Sequence, residues 1–430
     1  MSSDTGLPTG KIRRAVVSAI IGNGLEWYDF LIFGFFLTFI TQAYFPTDDA
    51  FISSIMGGTT FAIAFFVRPL SGVLIGLYSD KFGRKPALTL MIVLMGLSTL
   101  LIGLTPTYAQ IGIAAPIIVI IARILQGISV GGEFASATAM LSEYAPKNQK
   151  MYYGSFQMCS QAIALALSSG AGYVTAALLS EDSLQSWGWR IPFLLGALVT
   201  PIGFYIRKHV DETPEFAAML NNQKKTEQAP LMEVLVQNTG SLFKGLGSVI
   251  IATVSVYVWF VTLPMFIIKT LHLPSSGIML SNVFCGVILF FITPIAGRLA
   301  DRYGAVNIWT IGVVLFGALS YPLLSYIIAE PSIQVLLIGQ LIGAIAMSMI
   351  WGPYPGQMSQ FFPTRIRSTG MAISYNLGVL LFGGLAPVIT DTLFKLTGSS
   401  VVSAYYIIFG AVVSLIFVWV PLIIERSRKN

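Results

Sequence analysis

Long apolar segments alternate with short polar ones along the whole chain. A helix needs roughly 20 mainly apolar residues to cross a bilayer, and twelve segments meet that requirement. Continuous apolar runs favour spanning helices over a β-barrel, whose strands are about 10 residues of alternating polarity. The predicted spans are residues 15–40, 51–78, 86–105, 112–141, 151–178, 190–207, 243–269, 275–299, 306–328, 333–359, 368–394 and 401–424.

The longest polar stretch, residues 208–242, follows the sixth predicted span. It is too short to form a domain, and we interpret it as a cytoplasmic linker. The sequence therefore predicts an all-α polytopic membrane protein. Its twelve transmembrane helices form two six-helix bundles, within residues 1–207 and 243–430.

Composition supports this interpretation. Of the 430 residues, 55% are hydrophobic and only 10% are charged, whereas soluble proteins carry about 25% charged residues. So few charges cannot coat soluble domains, and the hydrophobicity excludes a disordered chain. Cys159 and Cys285 lie inside apolar runs, so we expect buried thiols and no disulfide framework. Residues 1–14 are polar and basic, and no cleavable signal is visible after them.

The placement of lysine and arginine predicts the orientation, because cytoplasmic loops are enriched in these residues. The predicted loops 41–50, 106–111, 179–189 and 329–332 contain neither residue, while most of the 25 basic residues lie on the other side. Both termini are therefore expected in the cytoplasm, with the chain in a plasma or bacterial inner membrane. Because the basic residues are sorted by membrane side, the net charge of +6 does not indicate nucleic-acid binding.

The two halves share motifs. Residues 76–85 read G-L-Y-S-D-K-F-G-R-K, and residues 297–304 read G-R-L-A-D-R-Y-G. Residues 141–146 read L-S-E-Y-A-P, and residues 358–363 read M-S-Q-F-F-P. An internal repeat of six spans is typical of transporters.

These loop motifs and the layout of six plus six spans resemble the major facilitator superfamily over essentially the whole chain. A finer set of motifs resembles the metabolite:proton symporter family, which includes proline/betaine, oxoglutarate, citrate and shikimate carriers. The resemblance implies proton-coupled uptake by alternating access. The finer motifs are G-N-G-L-E-W-Y-D-F at 22–30, R-P-L-S-G at 68–72, R-I-L-Q-G at 123–127, G-G-E at 131–133 and W-G-W-R-I-P-F at 187–193.

The resemblance also implies that the loop residues latch an outward-open state. We expect Asp80 to accept hydrogen bonds at the start of span eleven, near Ser368 and Thr369, where the helix dipole favours an anion. Ala305 and Val306 replace the usual basic pair in the second loop, so a weaker contact is expected there. The alternative is a set of solvated charges that only fix topology. The gating candidates are Gly76, Asp80, Gly83, Arg84 and Asp301.

Five ionisable residues lie inside predicted spans: Glu26, Asp29, Arg68, Arg123 and Glu133. An intramembrane charge is costly and is by default a functional candidate. Glu26 and Arg68 lie at matching depths, so the hypothesis is that Arg68 pairs with Asp29 or Glu26 and tunes a proton carrier. The alternative is a fixed ion pair that braces two helices.

Glu133 is a third candidate proton carrier, since burial raises the pKa of a carboxyl group. Gly127, Gly131 and Gly132 beside it permit close helix approach. A purely structural carboxylate is the alternative. The predicted proton-coupling residues are therefore Glu26, Asp29, Glu133 and Arg68.

Arg123 is the predicted contact for a substrate carboxylate, because its guanidinium recognises that group with two hydrogen bonds. Its counterpart in the repeat is the uncharged Gln340. The alternative is that Arg123 neutralises a carboxylate of the protein. The predicted substrate residues are Asn23, Arg123, Gln126, Gln157, Tyr257, Tyr354, Gln357 and Asn376.

No phosphate-binding loop, zinc motif or nucleophile–base pair is found in the sequence. We therefore expect a transporter rather than an enzyme, with no cofactor and no metal. The predicted function is proton-coupled symport of a small organic acid by a monomer in the lipid bilayer. The alternatives are uptake of a zwitterion such as proline or betaine, and a proton-coupled exporter.

Overall fold

The structure is a computed structural model of the chain, and it describes residues 9–47, 50–208, 232–271 and 273–427. These described residues form helices and no strand. Twelve helical spans, named in chain order, are α1 Thr9–Phe35, α2 Ala50–Phe82, α3 Arg84–Leu104, α4 Ala114–Tyr144, α5 Lys150–Leu178, α6 Arg190–Lys208, α7 residues 239–271, α8 Ser275–Tyr303, α9 Ala305–Ala329, α10 residues 333–360, α11 residues 367–397 and α12 Val402–Ser427. Shorter helical segments are Leu37–Tyr44, Tyr108–Ile111, Glu181–Ser183, Leu184–Gly188, Glu233–Gln237 and Thr364–Ile366.

All twelve predicted spans are helical. Ten of the helices are long and apolar enough to cross a membrane by length and composition. The other two, α6 and α11, occupy the predicted spans 190–207 and 368–394. Most of the predicted linker 208–242 lies outside the described residues, and α7 begins within its far end, at Thr239.

Besides the division of the predicted span 15–40 at Phe36, three spans are not continuous α-helices. α7 contains wide π-helical turns at Val258–Thr262 and Ile267–Leu271, and α11 contains one at Val379–Gly384. α10 consists of Ile333–Trp351 and Tyr354–Gln360. Proline and glycine explain these breaks, because proline lacks a backbone N–H and glycine weakens a helix. Each π-turn shifts the direction of the side chains that follow it.

The bundles expose apolar side chains on the perimeter, and their largely apolar interior also contains buried polar and charged side chains. On α2, Phe66 and Leu70 are 66% and 67% exposed, whereas Arg68 between them is 1% exposed. Large exposed apolar surfaces are rare on soluble monomers and suit contact with another apolar phase. The chain is therefore a multi-pass membrane protein whose five intramembrane charged side chains, Glu26, Asp29, Arg68, Arg123 and Glu133, are buried.

The two halves pack through two helix pairs that the repeat relates to each other, α2 with α11 and α5 with α8. The first glycine of each loop motif lies in these contacts. A Cβ atom on Gly76 would stand 2.9 Å from Cα of Thr369, and one on Gly297 would stand 3.0 Å from the carbonyl oxygen of Met151. Backbone cannot give way as a side chain can, so glycine permits both close approaches.

The second glycine of each motif reverses the chain between helices. Gly83 has φ 108° between α2 and α3, and Gly304 has φ 97° between α8 and α9. Residues other than glycine rarely adopt such positive φ angles, so glycine is favoured at both positions. The repeated glycines of the sequence thus have the same two uses in both halves.

Candidate functional site

Asp80 binds the start of α11 at the end of the molecule that carries the two loop motifs, called the motif end below. Its carboxylate accepts hydrogen bonds from the backbone N–H of Thr369 at 2.9 Å and from the Thr369 hydroxyl at 2.7 Å. It also accepts from the N–H of Ser368 at 3.3 Å. The contact predicted for Asp80 at a helix N-terminus is present.

Asp301 makes the equivalent contact in the second half. Its two carboxylate oxygens accept hydrogen bonds from the backbone N–H groups of Met151 and Tyr152, both at 2.9 Å. These residues open α5, as Ser368 and Thr369 open α11. The repeat in sequence therefore corresponds to two similar contacts between the halves.

A charged cluster surrounds Asp80. Arg84 is bonded to Asp80 at 2.9 Å and to Glu143 at 3.1 Å, and Arg367 is bonded to Glu143 at 2.8 Å. The repeat aligns Arg84 with Ala305, so this arginine has no counterpart beside Asp301. The predicted weakening of the second contact thus has a structural basis.

Glu143 and Arg367 are functional candidates that sequence reasoning missed. Both are buried, and their ion pair joins α4 of one half to α11 of the other. The available signal was the glutamate in the repeated L-S-E-Y-A-P segment, which lies next to a predicted span end.

The two halves also meet further inside. The Ser359 hydroxyl donates to the Ser142 hydroxyl at 2.7 Å, between equivalent positions of the repeat. The Phe134 and Tyr375 rings stack with centroids 4.0 Å apart, and Asn376 donates to the carbonyl oxygen of Gly131 at 2.7 Å. Together with the charged cluster, these contacts close the motif end.

Beyond this closure, two buried arginines lie among aromatic rings. Arg68 on α2 and Arg123 on α4 are 1% and 0% exposed, and their charges are close enough to interact. We call Arg68, Arg123, Phe30, Phe65 and Tyr257 the central site. Phe30 and Phe65 contact each other at 5.1 Å between centroids, and Tyr257 packs on Phe65 at 5.9 Å.

Arg123 is bonded entirely to neutral acceptors. Its Nε and Nη2 donate to the carbonyl oxygens of Thr60 at 3.2 Å and Phe61 at 2.8 Å. Its Nη1 donates to Oε1 of Gln126 at 2.7 Å, and its guanidinium lies 4.0 Å from the centre of the Phe33 ring. Among the described residues no carboxylate forms an ion pair with it, so the alternative of a protein counter-ion is not supported.

Asp29 lies away from Arg68, which corrects one of the two predicted pairings. The Thr99 hydroxyl of α3 donates to the Asp29 carboxylate. A Cβ atom on Gly196 of α6 would stand 2.7 Å from the other carboxylate oxygen. Asp29 therefore lies on the side of α1 that faces α3 and α6, inside the first half and away from α2.

Glu26 and Glu133 are both buried, at 3% and 2% exposed. Glu26 and Arg68 both lie within electrostatic range of Tyr375, a residue of the second half. Glu133 precedes Phe134, whose ring stacks on Tyr375. Glu26 is thus placed near the surface between the halves, and Glu133 is adjacent in sequence to a residue of that surface.

The glycines next to Glu133 do allow close helix approach. A Cβ atom on Gly131 would stand 2.8 Å from the carbonyl oxygen of Arg68, and one on Gly127 would stand 2.8 Å from that of Ala64. The backbones of α2 and α4 therefore touch beside the central site.

The predicted substrate residues are all buried, and their polar atoms divide them into two groups. Arg123 uses every guanidinium nitrogen, as described above. The other seven each keep at least one buried polar side-chain atom with no hydrogen-bond partner among the described residues. They are Asn23, Gln126, Gln157, Tyr257, Tyr354, Gln357 and Asn376.

Gln340, the counterpart of Arg123 in the repeat, bonds to neighbouring helices of the second half. Its amide donates to the carbonyl oxygen of Trp259 at 3.1 Å and accepts from Ser281 at 2.5 Å. The Trp259 indole donates back to the carbonyl oxygen of Gln340 at 3.2 Å. This amide joins α7, α8 and α10, so the position that carries charge in the first half holds helices together in the second.

Two repeated helical halves, closed at one end and enclosing buried arginines, define the class of a multi-pass membrane carrier. Residues 19–387 and 245–430 match the sequence profile of the Major Facilitator Superfamily. The chain belongs to this superfamily, and the resemblance found in its motifs is confirmed.

Named relatives are similar over most of their length. The chain is 33% identical over 406 residues to the citrate-proton symporter of Klebsiella pneumoniae, covering 94% of this chain and 90% of that protein. It is 31% identical over 421 residues to the proline/betaine transporter of Escherichia coli strain K12, covering 96% and 84%. The solved structure of the proton:xylose symporter XylE bound to 6-bromo-6-deoxy-D-glucose covers 96% of each chain with a TM-score of 0.79 at 18% identity, which shows the fold alone.

Proposed function

We propose that this protein is a secondary active transporter that couples uptake of a small organic acid to protons by alternating access. The observation that carries the proposal is the pair of buried arginines, Arg68 and Arg123, in the first half beside Tyr257 of the second. Two cations in a dry interior are costly unless an anion compensates them. The likeness to a citrate-proton symporter supports an organic acid as that anion.

The proton is carried by a buried carboxyl group. Glu26 lies near the surface between the halves, Glu133 is buried on α4, and Asp29 accepts a hydrogen bond from Thr99 within the first half. Substrate binding and rearrangement of the halves change these surroundings, which links proton release to transport.

The closed motif end is a gate towards the cytoplasm. Gly76, Asp80, Gly83, Arg84 and Asp301 latch it, and the Glu143–Arg367 pair strengthens it. Breaking these contacts lets the two halves rock, while the opposite end closes. In this arrangement both termini are cytoplasmic and the present conformation faces outward.

The working unit is one chain in the lipid bilayer of a plasma or bacterial inner membrane. Its two bundles, residues 1–207 and 243–430, move against each other about the cytoplasmic linker 208–242. The transported molecule is not altered chemically, so no cofactor or metal is needed.

A zwitterion such as proline or betaine is the second candidate substrate. Its carboxylate suits an arginine, and its cationic end suits aromatic faces. Phe30, Phe61 and Phe65 form a ring cluster whose centroids lie 5.1–5.4 Å apart. The likeness to a proline/betaine transporter supports this alternative.

Uptake into proteoliposomes tests the function. The purified protein is given labelled citrate, 2-oxoglutarate, shikimate, proline or glycine betaine, with and without a pH gradient that is acidic outside. We expect at least one acid to accumulate above equilibrium only with the gradient. Accumulation that is unchanged without the pH gradient and with an added protonophore would exclude proton coupling. Net efflux of substrate from whole cells would favour an exporter.

The proton carrier is tested with the variants Glu26→Gln, Asp29→Asn and Glu133→Gln. The variant that lacks the carrier should lose gradient-driven accumulation but keep exchange of labelled for unlabelled substrate, because exchange needs no net proton movement. Glu330→Gln, at an exposed position, is the matched control. If all three variants accumulate substrate like the wild type, none of these carboxyl groups is the carrier.

A further inference from the structure

The two arginines of the central site differ in the hydrogen bonds that they make. All three guanidinium nitrogens of Arg123 donate to acceptors of the protein. In contrast, Nε and Nη1 of Arg68 have no hydrogen-bond partner among the described residues, although the side chain is 1% exposed. Buried donors are normally satisfied, so Arg68 is the arginine that is ready to bind a further acceptor.

Arg68 is also held in a fixed position. Its guanidinium carbon lies 4.9 Å from the centre of the Phe30 ring and 4.7 Å from that of Phe65. These rings stabilise the cation by its interaction with their faces but offer it no hydrogen-bond acceptor. The guanidinium is therefore positioned while its edges remain available.

The opposite half contributes Tyr257 to the same place. Its hydroxyl lies beside Arg68 without the geometry of a hydrogen bond, and it has no other partner among the described residues. The Tyr257 ring packs on Phe65 at 5.9 Å and on Phe30 at 6.5 Å. Unpartnered donors from both halves thus face one location.

We propose that Arg68, rather than Arg123, binds the carboxylate of the substrate, with the Tyr257 hydroxyl as the second contact from the other half. Arg123 is a positioning residue: it ties α4 to the backbone of α2 and packs against the ring of Phe33. The proposal rests on the function proposed above and names the residue that recognises the substrate within it.

The arrangement gives substrate binding a mechanical effect. An anion at Arg68 forms charge-assisted hydrogen bonds, which are about twice as strong as neutral ones. The same anion accepts from Tyr257, so it joins α2 of one half to α7 of the other. Binding therefore draws the halves together around the substrate.

Conservative variants of the two arginines test the proposal. The dissociation constants of citrate, proline and glycine betaine are measured by calorimetry for the wild type, Arg68→Lys, Arg123→Lys and Tyr257→Phe. Prolinamide serves as the probe without a carboxylate. Arg426→Lys, at an exposed position near the end of α12, controls for the replacement of an arginine by lysine. Thermal midpoints and uptake are measured on the same preparations.

For the probe that the wild type binds, Arg68→Lys should raise the dissociation constant about ten- to hundredfold, the factor expected for a lost hydrogen bond to a charged group. Tyr257→Phe should raise it less, and neither variant should change the weak binding of prolinamide. Arg123→Lys should mainly lower the thermal midpoint, because it loses bonds to the protein.

Two results would overturn the proposal and are distinguishable from each other. If Arg123→Lys weakens binding more than Arg68→Lys does, the assignment is wrong while wild-type uptake leaves the proposed function intact. If the wild type neither binds nor accumulates any of the three carboxylates, the proposed function fails and the assignment fails with it.

Discussion

Trp187 and Trp189 stand two positions apart in the W-G-W-R-I-P-F segment but have different surroundings. Trp187 is 51% exposed, whereas Trp189 is fully buried. The Trp189 ring contacts Tyr44 and Phe193 at centroid distances of 5.8 and 6.0 Å, and Arg190 lies 4.4 Å above it. The indole thus joins the short helix Leu37–Tyr44, which follows α1, to the start of α6.

Replacing Trp189 by alanine should therefore lower the free energy of unfolding by about 3–5 kcal/mol, since a large buried ring is lost. The measurement is the midpoint of heat denaturation in detergent, followed by circular dichroism. Trp187→Ala is the matched control and should stay within about 0.5 kcal/mol of the wild type. Equal midpoints for the two variants would show that the buried ring does not brace these helices.

The sequence predicted the depth of the site residues in the membrane but not their bonding partners. It located Glu26, Asp29, Arg68, Arg123 and Glu133 as buried charges, because hydropathy reports the depth of a residue in the membrane. It did not predict that Asp29 meets Thr99 or that Arg123 meets backbone carbonyl groups of α2. Those partners lie on other helices, and their identity depends on the rotation of each helix about its axis.

At the scale of helices, the two latches are alike in geometry and unequal in charge. Asp80 accepts from the start of α11 and is bonded to Arg84, which also reaches Glu143. Asp301 accepts from the backbone at the start of α5. The α2–α11 contact therefore carries an ionic network beyond the helix cap that both contacts share.

Asp80→Asn should open the motif end more than Asp301→Asn, because it removes the negative charge that pairs with Arg84 as well as the charge at the helix N-terminus. The loss of a hydrogen bond to a charged group shifts such an equilibrium about ten- to hundredfold. The measurement is the rate at which a membrane-impermeant maleimide labels a cysteine placed at Ser142, after Cys159 and Cys285 are replaced by alanine. Equal rates in the two variants would contradict the ranking.

The helices themselves were largely predictable, and the exceptions have a physical cause. Length and hydropathy located all twelve spans, since lipid requires every backbone group to be bonded within the helix. The π-turns Val258–Thr262 and Val379–Gly384 were not predicted. A π-turn keeps the apolar character of its segment and alters only its register, so hydropathy does not detect it.

At the scale of the whole molecule, the serine pair tests alternating access. The hydroxyl oxygens of Ser142 and Ser359 are 2.7 Å apart across the closed interface. In a background without Cys159 and Cys285, the double variant Ser142→Cys/Ser359→Cys should form a disulfide under mild oxidation. Uptake should then stop and return on reduction, because the halves cannot separate.

Each single cysteine variant controls for the substitution and should keep uptake under the same oxidant. A cross-linked protein that continues to accumulate substrate would show that transport does not require the motif end to open.

The two contacts that close the motif end differ in their number of charged groups, and this difference predicts an order of opening. The corner between α5 and α8 holds one acidic side chain on backbone groups, whereas the corner between α2 and α11 holds two carboxylates and two guanidinium groups. We therefore expect the first corner to release before the second, so that the motif end widens asymmetrically. Arg298, which lies 4.3 Å above the Tyr152 ring, stands at the corner that is expected to open first.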